Sequence, residues 1–82
     1  MLEHNEKTKV FFTIVDGYKA FVAYEIKNDI LDITTTQVPK VISGRGIASV
    51  LVKACVEYAN EKKLVLRNPL SCSYAQTWIE RH

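Results

Sequence analysis

The chain has 82 residues, 48% of them hydrophobic, with eleven basic residues against nine acidic. That length admits one small domain, which buries only about 60% of its unfolded surface, and the composition excludes a disordered chain. A net charge of +2 gives no electrostatic case for nucleic acid, and no apolar stretch approaches the ~18 residues of a membrane span.

Residues 1–8 are polar and mixed in charge. They read as an N-terminal tail without the apolar centre of a signal peptide, ahead of a single domain over 9–82. Lys9 to Val15 is rich in β-branched and aromatic residues and predicts a strand. Asp16-Gly17 is a hairpin signal, because glycine tolerates the positive φ such turns need. Tyr18 to Lys27 follows as a second strand, with Tyr18, Ala20, Val22, Tyr24 and Ile26 on one face. Asn28-Asp29 predicts a second turn. Ile30 to Val38 reads as a third strand, ended by Pro39, which has no N–H for a ladder.

Lys40 to Arg45 forms a glycine-containing loop, and a helix is expected from Gly46 to Lys62. Its apolar stripe is Ile47, Val50, Leu51, Ala54, Tyr58 and Ala59, with Ser49, Lys53 and Glu57 on the wet side. Leu64-Val65-Leu66 is short and fully apolar, as expected for a strand buried on both faces. Asn68-Pro69 breaks the chain. Ser73-Tyr74-Ala75-Gln76 has capping-box spacing and predicts a last helix to Arg81, burying Tyr74, Trp78 and Ile79. The order is β-β-β-α-β-α: an α/β (α+β) domain with a small mixed sheet. The long helix joins two strands that should be parallel.

Two cysteines, Cys55 and Cys72, do not form a CxxC pair, and the two histidines lie near the termini as His4 and His82. No metal cluster is expected, and free thiols fit a reducing cytoplasm. Cys55, mid-helix among apolar residues, reads as packing. Cys72 precedes a predicted helix start, a position that favours thiolate, so it is either a nucleophile or a small buried residue.

The turn Ser43-Gly44-Arg45-Gly46-Ile47-Ala48 is the strongest local signal. Two glycines between strand and helix let backbone N–H groups converge at the positive end of the helix dipole, which suits a phosphate. Arg45 adds a cation beside them. The turn lacks the spacing of a dinucleotide fingerprint and the Lys-Ser/Thr of a nucleotide P-loop. Pattern alone leaves an anion site and a bare turn both open.

With Val38-Pro39 before it, this segment resembles motif A of the GNAT superfamily of acyl-CoA-dependent N-acetyltransferases, Q/R-x-x-G-x-G/A, read from Ser43 to Ala48. The late Ser71-Cys72-Ser73-Tyr74 extends the similarity to short stand-alone GNAT-like proteins of about this length. The resemblance implies a minimal GNAT-like fold and acetyl-CoA as co-substrate. Gly44, Arg45, Gly46, Ile47 and Ala48 would cradle the coenzyme A pyrophosphate, and Val38 would contact the pantetheine arm in a splay opposite Leu64-Leu66. Cys72 would lie near the thioester. For an acyltransferase this leaves two routes, direct attack by an amine or prior transfer of the acyl group to Cys72 as nucleophile, with Tyr74 as a candidate proton donor to the departing thiolate. The acceptor would be an amine, a thiol or a protein. The protein would be a monomer or a homodimer, with no metal, membrane or nucleic-acid partner. A non-catalytic coenzyme A-binding module is the alternative. Two positions depart from the pattern: Ser43 replaces Q/R, and Thr35 stands where the short proteins carry a histidine in H-T-x-V.

Overall fold

In the computed structural model, which describes residues 2–82, the elements run β1 (Leu2–Asn5), β2 (Val10–Val15), β3 (Tyr18–Lys27), β4 (Ile30–Gln37), α1 (Ile47–Glu61), β5 (Val65–Leu66) and α2 (Ser73–Arg81). One 3-10 turn, Lys40–Ile42, lies between β4 and the glycine loop. The five strands form one sheet in chain order. β1 to β4 are antiparallel neighbours, and β5 runs parallel to β4. This is the small mixed α/β fold read from the sequence.

Both hairpin turns follow from side chains that tolerate left-handed backbone. Asp16 and Gly17 have φ of 52° and 80°, and Asn28 and Asp29 have 52° and 64°. Two successive positive φ values match the right-handed twist of the flanking strands. They fix the register, Val15 opposite Tyr18 and Lys27 opposite Ile30. That register places Ala20, Val22 and Tyr24 of β3 on the same face as Leu31 and Ile33 of β4, all buried. Leu51, Val52, Cys55 and Ala59 of α1 and Ala75 of α2 complete the same core.

Five local expectations change. The segment read as a polar tail contributes β1, paired with β2 from Leu2 opposite Thr13 to Asn5 opposite Val10. Its residues are mostly exposed because it is an edge strand, so no apolar run marks it. In α1, Val50 is 55% exposed, while Val52 and Cys55 are fully buried: the helix is rotated from the predicted stripe. β5 is also an edge strand, with Val65 exposed, so its continuous apolar run does not signify two-sided burial. In α2 the N-cap is Cys72 and not Ser73, with no side-chain cap bond. The Gln76 amide instead accepts from Leu70 N–H at 2.9 Å and donates to Glu80 at 3.2 Å. Tyr74, expected in the core, is exposed, and Ala75 takes the buried position.

The β3–β4 ladder carries a bulge. Tyr24 faces Ile33 and Ala23 faces Thr35, leaving Thr34 as the extra residue. Its hydroxyl donates to Ala23 C=O at 3.3 Å. β5 parts from β4 just before this point. Val65 N–H bonds Asp29 C=O and Arg67 N–H bonds Leu31 C=O. The chain then loops away and returns with Cys72 N–H on Ile33 C=O at 2.9 Å. β4 therefore loses its neighbour on one side over its last residues, facing the start of α1.

Candidate functional site

Gly46 is the N-cap of α1, in left-handed conformation at φ 75°, and Gly44 has φ 81°. A Cβ at either position would meet nothing within 4 Å. Glycine is required there for backbone conformation and not for lack of room. Because Gly46 has no side chain, no cap hydrogen bond serves the first turn. Val50 N–H is the first to bond back along the helix, to Gly46 C=O at 3.2 Å. The first amides of α1, at Ile47, Ala48 and Ser49, have no acceptor within the helix, and no acidic side chain stands in that turn. The helix dipole adds a partial positive charge at the same place.

These amides border a cavity of about 250 Å³. Val38, Gly44, Gly46, Ile47, Ala48 and Tyr74 line it, with Ser43 and Ser49 between them. Six of the eight residues singled out in the sequence thus meet around one space. The other two lie beside it. Arg45 turns outward to an ion pair with Asp16, 2.8 Å from Nη1 to Oδ2. Cys72 sits half-buried at the N-cap of α2, its Sγ 3.3 Å from the Thr36 hydroxyl. Larger depressions exist elsewhere, two of them as follows. One, near 450 Å³, is formed by side chains such as Glu25, Asp32 and Arg67 on the opposite sheet face; the other, near 380 Å³, lies between β1 and the C-terminal half of α1. Neither contains the glycine turn or a thiol, so volume does not select the site.

Side-chain hydrogen bonds tie down the segments around the cavity. Trp78 Nε1 donates to Ser49 Oγ at 2.7 Å, tying α2 to the first turn of α1. Asp32 fixes the segment leading into Cys72. Its carboxylate accepts from Ser71 N–H at 2.8 Å, from the Ser71 hydroxyl, and from Arg67 Nη1 at 3.2 Å. Burial opposes charge on Asp32, but the Ser71 and Arg67 donors outweigh it and hold its carboxyl below the usual range. Cys55 is the contrasting thiol: burial pushes it up to about 12, so it stays protonated and packs as an apolar residue.

Four contributors leave no mark in the local sequence: the Thr34 bulge, Thr36 against Cys72, Ser49 as acceptor for Trp78, and Asp16 as partner of Arg45. Helical periodicity puts Ser49 on the wet face, and the other three depend on register between distant segments.

A family profile described as GCN5-related N-acetyl-transferase matches residues 10–82. The chain belongs to the GCN5-related N-acetyltransferase family. Its curated relatives include Protein NATD1 of Gallus gallus, 32% identical over 84 residues, spanning 99% of this chain and 74% of the relative. Protein NATD1 of Homo sapiens is 31% identical, over 99% and 73% of the two chains, and that of Danio rerio is 31% identical, over 99% and 74%. The N-acetyltransferases of this family use acetyl-CoA as co-substrate. Among the described residues no group of His, Cys, Asp and Glu could hold a metal ion, and no helix is long and apolar enough to cross a membrane.

Proposed function

We propose that this chain is an acetyl-CoA-dependent acyltransferase that binds the coenzyme A pyrophosphate at Gly44–Ala48. One observation carries the reading: a left-handed glycine N-cap leaves the first amides of a 15-residue helix without side-chain caps, beside a cavity that Val38 and Tyr74 also line. Free N–H groups and a helix dipole suit a diphosphate, and Gly44 and Gly46 place no side chain between it and the backbone. Val38 would then contact the pantetheine arm. The arm would run along the part of β4 that β5 leaves uncovered, toward Cys72.

Acyl transfer then requires an acceptor to form a bond to the thioester carbonyl carbon, the C–S bond to break, and the departing sulfur to take a proton. Backbone N–H groups near the splay would stabilise the developing oxyanion. Tyr74 would supply the proton to the sulfur. No carboxylate or imidazole lines the cavity, so an amine attacking directly finds no base there. That favours a two-step route. The Cys72 thiolate would displace the coenzyme A sulfur, forming an S-acyl cysteine, and an amine, thiol or protein acceptor would then take the acyl group and release Cys72. The same absence is the observation behind a second reading, a module that holds coenzyme A without turnover. The free cysteines suit a cytoplasmic setting for either.

Calorimetric titration with coenzyme A tests the site, and thiol release from acetyl-CoA with a panel of amines tests turnover. Binding with amine-dependent release is expected. Binding without release would leave the module reading. Mass spectrometry after incubation with acetyl-CoA should show one acetyl adduct on the wild type and none on Cys72→Ala. An adduct of equal yield on the variant would remove Cys72 from the mechanism.

A further inference from the structure

The glycine turn has a basic side chain that does not serve it. Arg45 stands between two left-handed glycines, and the backbone on both sides of it borders the cavity, yet its guanidinium is absent from the wall. It is held instead by Asp16, at the tip of the β2–β3 hairpin, at 2.8 Å. The Asp16 carboxylate occupies the guanidinium as a phosphate would, because both are oxyanions that accept its N–H groups. Both side chains are more than half exposed, 51% and 63%. So exposed a pair is weak, too weak to fix the loop but enough to compete with a ligand.

We propose that Asp16 is a specificity-determining residue of the anion site: it holds Arg45 away and yields it only to an anion that outcompetes a carboxylate. The inference rests on the reading of Gly44–Ala48 as a pyrophosphate cradle. Flanked by glycines at positions 44 and 46, Arg45 can swing toward the cavity with little steric resistance. A diphosphate carries more charge than a carboxylate and draws the guanidinium across. A monoanion lacks that advantage. Asp16 thereby sets a threshold of ligand charge through its hold on Arg45.

The test is a double-mutant cycle in coenzyme A affinity, read by calorimetry on the whole chain. Asp16→Asn keeps the turn, because asparagine also accepts left-handed backbone. It should tighten coenzyme A about two- to five-fold at low salt, the range given by an exposed ion pair. In an Arg45→Gln background the same change should have no effect. Weaker or unchanged binding by Asp16→Asn would overturn the proposal, since Asp16 would then anchor the loop or do nothing. An equal gain with and without Arg45 would also overturn it, because a plain charge effect needs no arginine. If the wild type and all three variants fail to bind coenzyme A, the cradle reading falls first. That result is distinct from a wild type that binds and an Asp16→Asn variant that does not improve. Melting curves of each variant show whether any has lost its fold.

Discussion

At the scale of single residues, the two thiols separate by environment. Cys55 is completely enclosed between α1 and the sheet, and desolvation lifts its thiol to about 12. Cys72 is only partly buried, at the start of α2 beside Thr36. Alkylation follows the thiolate and its access. Iodoacetamide at pH 8 should therefore label the native protein once, at Cys72, and twice in denaturant. Peptide mapping checks both, and native labelling at Cys55 would contradict the packing described for α1. The sequence carried half of this contrast. Cys55 falls within an apolar run and is legible as packing, but the Thr36 partner of Cys72 lies 36 positions away and follows only from the return of the chain onto β4.

At the scale of elements, legibility depended on how each strand is stabilised. β3 alternates because one face is buried, and its bounds match the sequence reading from Tyr18 to Lys27. β1 is an edge strand whose residues are mostly polar, and it is held by one side chain the sequence reading set aside. His4 stacks on Phe11 with ring centroids 3.9 Å apart, meets Tyr58 edge-on at 4.6 Å, and has Nε2 2.6 Å from the Tyr24 hydroxyl. Burial lowers its pKa below the ordinary 6.5; Glu6 opposes that shift and Lys62 adds to it. A histidine lowered in the folded state is protonated first in the unfolded chain. Its contribution to stability is therefore constant above pH 6.5 and falls as pH drops from there through the folded value. Acid should loosen β1 before the rest of the sheet. The protection of the β2 amides that face β1, taken relative to the intrinsic exchange rate at each pH, should fall between pH 7 and pH 5 more than that of amides between β3 and β4. His4→Phe should remove this difference. An equal loss of protection in both ladders would show that His4 does not hold the edge.

At the scale of the whole molecule, an 82-residue domain has little stability to spare, and a ligand that binds only the folded state should show plainly. At a concentration of ~100 Kd, coenzyme A should add about 2.7 kcal/mol, which raises the melting temperature of a domain this size by about 10 °C or more. Gly46→Val separates the cradle from stability in general. A β-branched residue at φ 75° costs about 1–2 kcal/mol of backbone strain, and its side chain would stand in the open space beside Gly46. The variant should melt lower and show no rise with coenzyme A. Ile33→Val, in the fully buried layer beneath α1, costs about 0.5–1.5 kcal/mol without touching the cavity wall. It should melt lower by a similar amount yet keep the full rise. Loss of the rise in both variants would mean that any weakening of the fold abolishes binding, and Gly46 would have no special part in it. A rise retained in Gly46→Val would put the pyrophosphate elsewhere. The comparison works because Gly46 is set by backbone conformation and Ile33 by packing, two sources of stability that meet only if the cradle is the binding site.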